Sequence, residues 1–296
     1  SWLSEVLWVL VQWRRRRDFD REFRRWSGVS SLVIGNYQQH HFQHLAQLCP
    51  AARCILVDDG TDTLRIARAR RDLAAFATST APGTSRRRPG LKSWVRRQAE
   101  WTLRPRDELS FFTSYDVQAG PRDQIVHNRY ALTRARTRPA AADGRCLFLG
   151  QPLVEDGYVA RDRYLELLAE IRDRLGAGGL QYVPHPREDR ERLRPAMRRL
   201  DIPLLEISRP FELHLLSAET LPATVASFFC SGLDTCRLIW GEAMRLIAFR
   251  IAEEDLLACH DFVDEVYRYF ESTGAIEVTP ERAGFSRRSR AAGTAG

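Results

Sequence analysis

The chain has 296 residues, 44% hydrophobic and 28% charged, which suits one large or two ordinary soluble domains and excludes a disordered chain, a collagen or a coiled-coil rod. Lysine and arginine number 45 against 38 acidic residues, a net charge of +7. Lys92 is the only lysine, so the basic balance reads as arginine-biased composition more than as a selected nucleic-acid patch.

From the amino end, Trp2 to Trp13 is apolar but interrupted by Ser4, Glu5 and Gln12, and it runs into Arg14 to Arg17. The charges follow the apolar stretch, the reverse of an export signal, and the stretch is too short to span a bilayer. A helix is expected there. An α/β half normally begins with a strand, so an opening helix leaves open whether a first strand is missing from this chain. Apolar runs then predict strands at Ser31–Gly35, Cys54–Val57, Leu109–Phe112, Cys146–Gly150, Leu180–Pro184, Leu204–Ile207, Ala223–Phe229 and Leu246–Phe249. Several are apolar throughout, as in parallel strands covered on both faces. Amphipathic helices lie between them. The clearest aligns Tyr164, Leu167, Leu168, Ile171 and Leu175, with Gly176 as its C-cap. This alternation argues an α/β fold with parallel sheets. The segment Arg136–Gly144, RTRPAAADG, marks a boundary, giving domains at 1–140 and 141–285 and a basic, disordered tail at 286–296. Residues 78–90 also read as mobile. In such sheets ligands bind at the carboxyl ends of strands, here expected in a cleft between the halves.

The common nucleotide and hydrolase signatures are absent from the sequence. His40, His41 and His44 have helical spacing but no neighbouring carboxylate or cysteine in the sequence, so they read as surface or cleft-lining residues and no metal site is expected. The six cysteines form no CxxC pair and read as reduced thiols of a cytoplasmic protein. Three strand-end segments carry the chemistry. Asp58-Asp59-Gly60 follows the second strand: Asp58 suits a general base, Asp59 a loop-orienting or helix-capping residue, and a plain capping turn is the alternative. His185, set between Pro184 and Pro186 and followed by Arg187, suits a fixed imidazole and a cation facing a phosphate or carboxylate, or else an ordinary loop histidine. Cys230-Ser231-Gly232, with Thr235, offers hydroxyls and backbone N–H groups to an anion at a helix start, or else ordinary N-capping by Ser231. Asn36 and Glu212 are weaker candidates.

Taken in order, the acidic pair with glycine, the His-Pro pair and the small-residue strand–helix turn resemble bacterial polysialyltransferase-like proteins and glycosyltransferase family 52. Ile34–Tyr37, Phe111–Tyr115, Phe148–Leu153 and Pro210–Glu212 add to the match. The resemblance implies a GT-B fold, two Rossmann-like domains with parallel sheets facing across a cleft, and metal-free, inverting transfer from CMP-sialic acid. It implies Asp58 as the base on the acceptor hydroxyl, His185 as the acid at the departing phosphate, Ser231 and Thr235 as phosphate contacts, and Glu212 at the cytidine ribose. Relatives often carry paired serines where this chain has Cys230 and Ser231. The expected partners are the nucleotide-sugar donor and a glycan acceptor of surface polysaccharide or lipooligosaccharide, and no nucleic acid. Leu91–Leu103, with Trp94 and Trp101 among Lys92, Arg96 and Arg97, reads as a helix packed on the first domain, or as a peripheral contact with the anionic inner membrane surface. The alternatives are transfer of a different sugar and a catalytically silent nucleotide- or polysaccharide-binding module.

Overall fold

A computed structural model describes residues 2–26, 28–72, 106–137, 141–176 and 179–279, with the side chains of residues 2–10, 12 and 13 left out. The segments read above as mobile, 78–90 and 286–296, and as an aromatic basic helix, 91–103, lie outside these residues. The chain divides into two compact units, Ser1–Tyr130 and Ala131–Gly296. The division falls before the Pro-Ala-Gly segment, because helix α4 (Ala131–Arg136) packs on α8 (Ser231–Trp240) of the second unit.

In the first unit, α1 runs from Trp2 to Arg24, continuing through the arginine run, and ends with Arg21 and Arg24 in its last turn, where cations suit the helix dipole. Phe19 and Phe23 pack on Leu45, Cys49 and Ala52 of and beyond α2 (His40–Leu48). Strands β1 (Ser31–Ile34), β2 (Arg53–Val57), β3 (Ser110–Thr113) and β4 (Gln124–His127) pair in that order, all parallel, with α3 (Asp62–Arg71) after β2. Each new strand is laid beside the last on the same side. Right-handed crossovers then put α2 and α3 on one face of the sheet. The core forms there, from Ile34, Leu56 and Phe111 against Ala46, Ile66 and Ala67. The pleat turns Val33, Phe112 and Val126 to the other face, where they are 60%, 40% and 45% exposed. The apolar strands of this sheet are therefore covered on one face among the described residues, contrary to the two-faced covering their composition suggested.

In the second unit, five strands pair in parallel in the order β6-β5-β7-β8-β9. They are β5 (Ala142–Leu149), β6 (Leu180–Val183), β7 (Leu221–Ser227), β8 (Arg245–Ala248) and β9 (Glu277–Val278). Helices α5 (Arg161–Leu175), α6 (Arg190–Arg199), α7 (Phe211–Leu216), α8 and α9 (His260–Thr273) connect them. Helix α5 buries Tyr164, Leu167, Leu168 and Ile171 and ends at Gly176 with φ +82°, the positive φ that favours glycine. Asp189 caps α6, accepting from the N–H groups of Glu191 and Arg192. The core stacks Phe148 on Tyr182 and sets it edge-on to Phe228, with ring centres 5.7 and 5.2 Å apart. Leu204–Ile207 is not a strand: it touches the sheet only by a bridge between Leu204 and Tyr182. The class is α/β, with two wholly parallel sheets in two units.

Candidate functional site

In the first unit the candidate residues gather at the carboxyl ends of β1, β2 and β3. Asp58 follows β2 and turns toward the neighbouring strand end. Its Oδ2 accepts from the Ser114 backbone N–H at 2.7 Å and from the Ser114 hydroxyl at 3.1 Å. Its Oδ1 is buried with no hydrogen-bond partner. A buried carboxylate oxygen without a donor is costly unless something else supplies one. Gly60, with φ +62°, turns the chain into α3. Asp59 does not cap that helix. The cap position is Thr61, which makes no side-chain cap bond, and Asp59 instead accepts from Asn36 Nδ2 at 3.1 Å. Asn36 also donates to Asp62 at 3.0 Å, and its Oδ1 takes the Gln38 N–H. Asn36 thus ties the β1 and β2 turns together. Of the three histidines, His44 is buried and its Nε2 lies 2.5 Å from Asp20 of α1. It serves to pin α1 to α2. No group of three His, Cys, Asp or Glu side chains among the described residues is placed to hold a metal ion.

In the second unit the strand order reverses beside β5: β6 lies on one side of it, β7 on the other. Parallel sheets open a crevice at such a switch point, at the carboxyl ends of the two strands. Gln151, just past β5, spans it. Its Oε1 accepts the Phe229 backbone N–H at 2.9 Å and the Ser227 hydroxyl at 3.3 Å, while Ser227 also donates to the Leu149 carbonyl at 2.7 Å. Helix α8 starts at this turn. Its N-cap is Cys230, not Ser231: the Cys230 sulfur accepts from the Gly232 N–H at 3.4 Å, and loss of water around the thiol pushes its pKa up to about 11. Ser231 is the first helical residue, half-buried, with its hydroxyl free of the capping role. Thr235 donates its hydroxyl to the Ser231 carbonyl at 3.3 Å. Gly232 lies close against Leu149. A Cβ there would stand 2.8 Å from Leu149 Cδ1 and 3.9 Å from Glu212 Oε1, which puts the Glu212 carboxylate beside the helix start.

His185 stands two residues past β6, the strand next to β5. Its Nδ1 accepts the Arg187 backbone N–H at 3.1 Å. That bond assigns the proton of the neutral ring to Nε2. Burial, then the charge of Arg187, lowers the imidazole pKa below its ordinary 6.5, with Asp156 and Glu155 acting against them. A neutral ring offering Nε2–H is therefore the form near neutral pH. Arg187 itself is exposed and its guanidinium pairs with Asp156 at 2.9 Å. Pro186 is exposed and makes no contact that bears on chemistry.

No family model matches the chain, and no curated protein matches it either. Among solved structures it is similar to MurG of Acinetobacter baumannii, at 9% identity and a TM-score of 0.39. That likeness covers 92% of this chain, which spans 63% of the length of that protein.

Reading the sequence alone gave no role to Ser114, Gln151 or Glu188. Each matters through a partner remote in the chain or through a turn: Gln151 meets Phe229 at a separation of 78 residues and Ser114 meets Asp58 at 56. The sequence signals were their placement one or two residues past a predicted strand, or three residues past His185, and for Ser114 and Gln151 the stretches Phe111–Tyr115 and Phe148–Leu153 of the resemblance.

Proposed function

We propose that the protein is an inverting glycosyltransferase of the GT-B type that transfers sialic acid from CMP-sialic acid to a glycan hydroxyl. The observation that carries the reading is the second sheet's switch point, where Gln151 holds the Cys230–Gly232 turn one strand away from His185. In this reading the donor phosphate lies at the start of α8, facing Ser231 and the helix dipole, with Thr235 at the turn's edge and Glu212 toward the ribose. Asp58 takes the acceptor's hydroxyl proton. The freed oxygen bonds to the anomeric carbon as the bond from that carbon to the CMP oxygen breaks. His185 gives the leaving phosphate a hydrogen bond from Nε2–H. The reading invokes no metal. Surface polysaccharide or lipooligosaccharide is the acceptor class. The place of work is the cytoplasm. No helix among the described residues is long and apolar enough to cross a membrane.

A second reading, a silent nucleotide-binding module, is favoured by Cys230, which puts a thiol where a phosphate-facing hydroxyl would serve. The test is thermal stabilisation by CMP, CDP, UMP, UDP and GDP, with and without EDTA, followed by turnover of CMP-sialic acid. A ligand at 100 times its dissociation constant adds about 2.7 kcal/mol, a rise of a few degrees in melting temperature. The expected result is a shift with CMP, indifferent to EDTA and lost in His185→Ala, together with turnover lost in Asp58→Asn. A shift with UDP or GDP instead would overturn the donor. A CMP shift without turnover would favour the silent module.

A further inference from the structure

Beneath the His185 turn lies a buried polar chain that the proposed reaction does not use. Glu188, 6% exposed, places its carboxylate between two strand ends. Its Oε2 accepts the His185 backbone N–H at 2.6 Å, and its Oε1 accepts the hydroxyl of Tyr182, from β6, at 2.5 Å. Tyr182 in turn lies 2.7 Å from the hydroxyl of Tyr164, on α5, which reaches the Gln151 carbonyl at 3.4 Å. Tyr164 and Tyr182 are 3% and 0% exposed. Gly150, at the end of β5, leaves room for this chain: a Cβ there would fall 2.4 Å from both Glu188 Oε2 and the Tyr182 hydroxyl. One carboxylate thus joins the backbone that carries His185 to the backbone that carries Gln151, and Gln151 holds the turn before α8.

A buried carboxylate is expensive and persists only where its hydrogen bonds are filled. Both of its oxygens are filled here, by the Tyr182 hydroxyl and the His185 N–H. A surface glutamate would cap the same turn at lower cost, so the burial points to a demand on geometry. We infer that Glu188 is a positioning residue, fixing the His185 ring against the turn before α8 through its backbone N–H and the Tyr182–Tyr164 chain. This rests on the proposed function for its catalytic meaning, though not for its structural one.

The groups that face Glu188 are Tyr182 and Tyr164, the His185 N–H, Glu155 of the loop after β5, and Arg190 at the start of α6. Burial raises its pKa to about 7, Glu155 adds to the rise, and Tyr182, His185 and Arg190 oppose it. Its ionisation therefore falls near neutral pH.

Two readouts separate this inference from the reading it rests on. The first is NMR of the His185 ring, picked out among the 7 histidines by its loss in His185→Gln. In the wild type the ring signals should show the Nε2–H tautomer and a second inflection near pH 7 from Glu188. Glu188→Gln keeps the shape and can still accept the His185 N–H, so it should keep the tautomer and lose the inflection. Glu188→Ala should lose both. The second readout is turnover of CMP-sialic acid. Glu188→Ala should lower kcat by about 10- to 100-fold, the cost of a reacting group displaced by about an ångström, with the donor KM within about twofold. Glu188→Gln should recover most of that kcat. Ring signals that are the same in wild type, Glu188→Gln and Glu188→Ala would overturn the inference, as would a kcat in Glu188→Gln no better than in a folded Glu188→Ala. Ring signals that change as expected in a wild type without sugar transfer would uphold the positioning role and sink the glycosyltransferase reading.

Discussion

Single side chains in this protein are placed by buried hydrogen bonds, and Glu188, held by His185 and Tyr182, shows what that does to stability. Its folded pKa of about 7 lies above the ordinary 4.5. Between those values the folded protein keeps a proton that the unfolded chain has already released. Its contribution to stability is thus full below pH 4.5, and falls as pH rises to about 7. The slope is at most about 1.4 kcal/mol per pH unit for one proton. Glu188→Gln has no such proton. Urea unfolding at pH 5 and at pH 8 should show the variant gaining on the wild type at the higher pH. An unchanged difference between the two would mean that Glu188 ionises like a surface carboxylate. Nothing in the local sequence announces this. Asp58, Gly60, His185 and Ser231 were legible as candidates because each follows an apolar run and is marked by glycine, proline or a small residue. Gln151 carries the same mark, between Gly150 and Pro152, but its partner Phe229 is one that only the folded sheet brings near, and Glu188 draws its importance from burial, which the local sequence does not show.

The strands that could be read were those with unbroken apolar runs, such as Arg53–Val57 and Leu180–Val183. Strand β4, Gln124–His127, escaped because it is an edge strand whose polar residues face water. Leu204–Ile207 has a strand's composition but bonds only to Tyr182, so composition alone misplaced it. What fixes the edge is an ion pair the pattern could not show. Arg70 of α3 and Asp123, just before β4, are 1% and 0% exposed and meet through two bonds of 2.7 and 2.6 Å. Asp123 also accepts the Leu109 and Gly120 N–H groups at 2.8 Å, and Arg70 donates to the carbonyls of Arg106 and Asp107. Arg70→Met would leave a buried carboxylate without its cation, at a cost of about 3–5 kcal/mol. Amide exchange should then quicken in β2 and β3 and stay unchanged in β5 to β8. Equal quickening in both units would show that they unfold as one.

Across the whole chain the two sheets differ in how space follows sequence. In the first, every strand lies beside the one made before it. In the second, β6 settles on one side of β5 and the other side waits for β7, so the central pairing of Phe148 with Ala226 closes a loop of some length. Chains dominated by near-neighbour pairings fold sooner than those that must close distant ones. The amino-terminal sheet can grow strand by strand at an open edge as synthesis proceeds, while the second has to hold its central strand open on one side until Leu221–Ser227 has emerged. Pulse-labelled hydrogen exchange during refolding should protect β1 to β3 before the β5–β7 pairing, and the reverse order would refute this. The reversal of strand order that opens the crevice beside Gln151 is also a delay in assembly: the place best suited to receive a ligand cannot be closed until the chain has returned to the far side of β5.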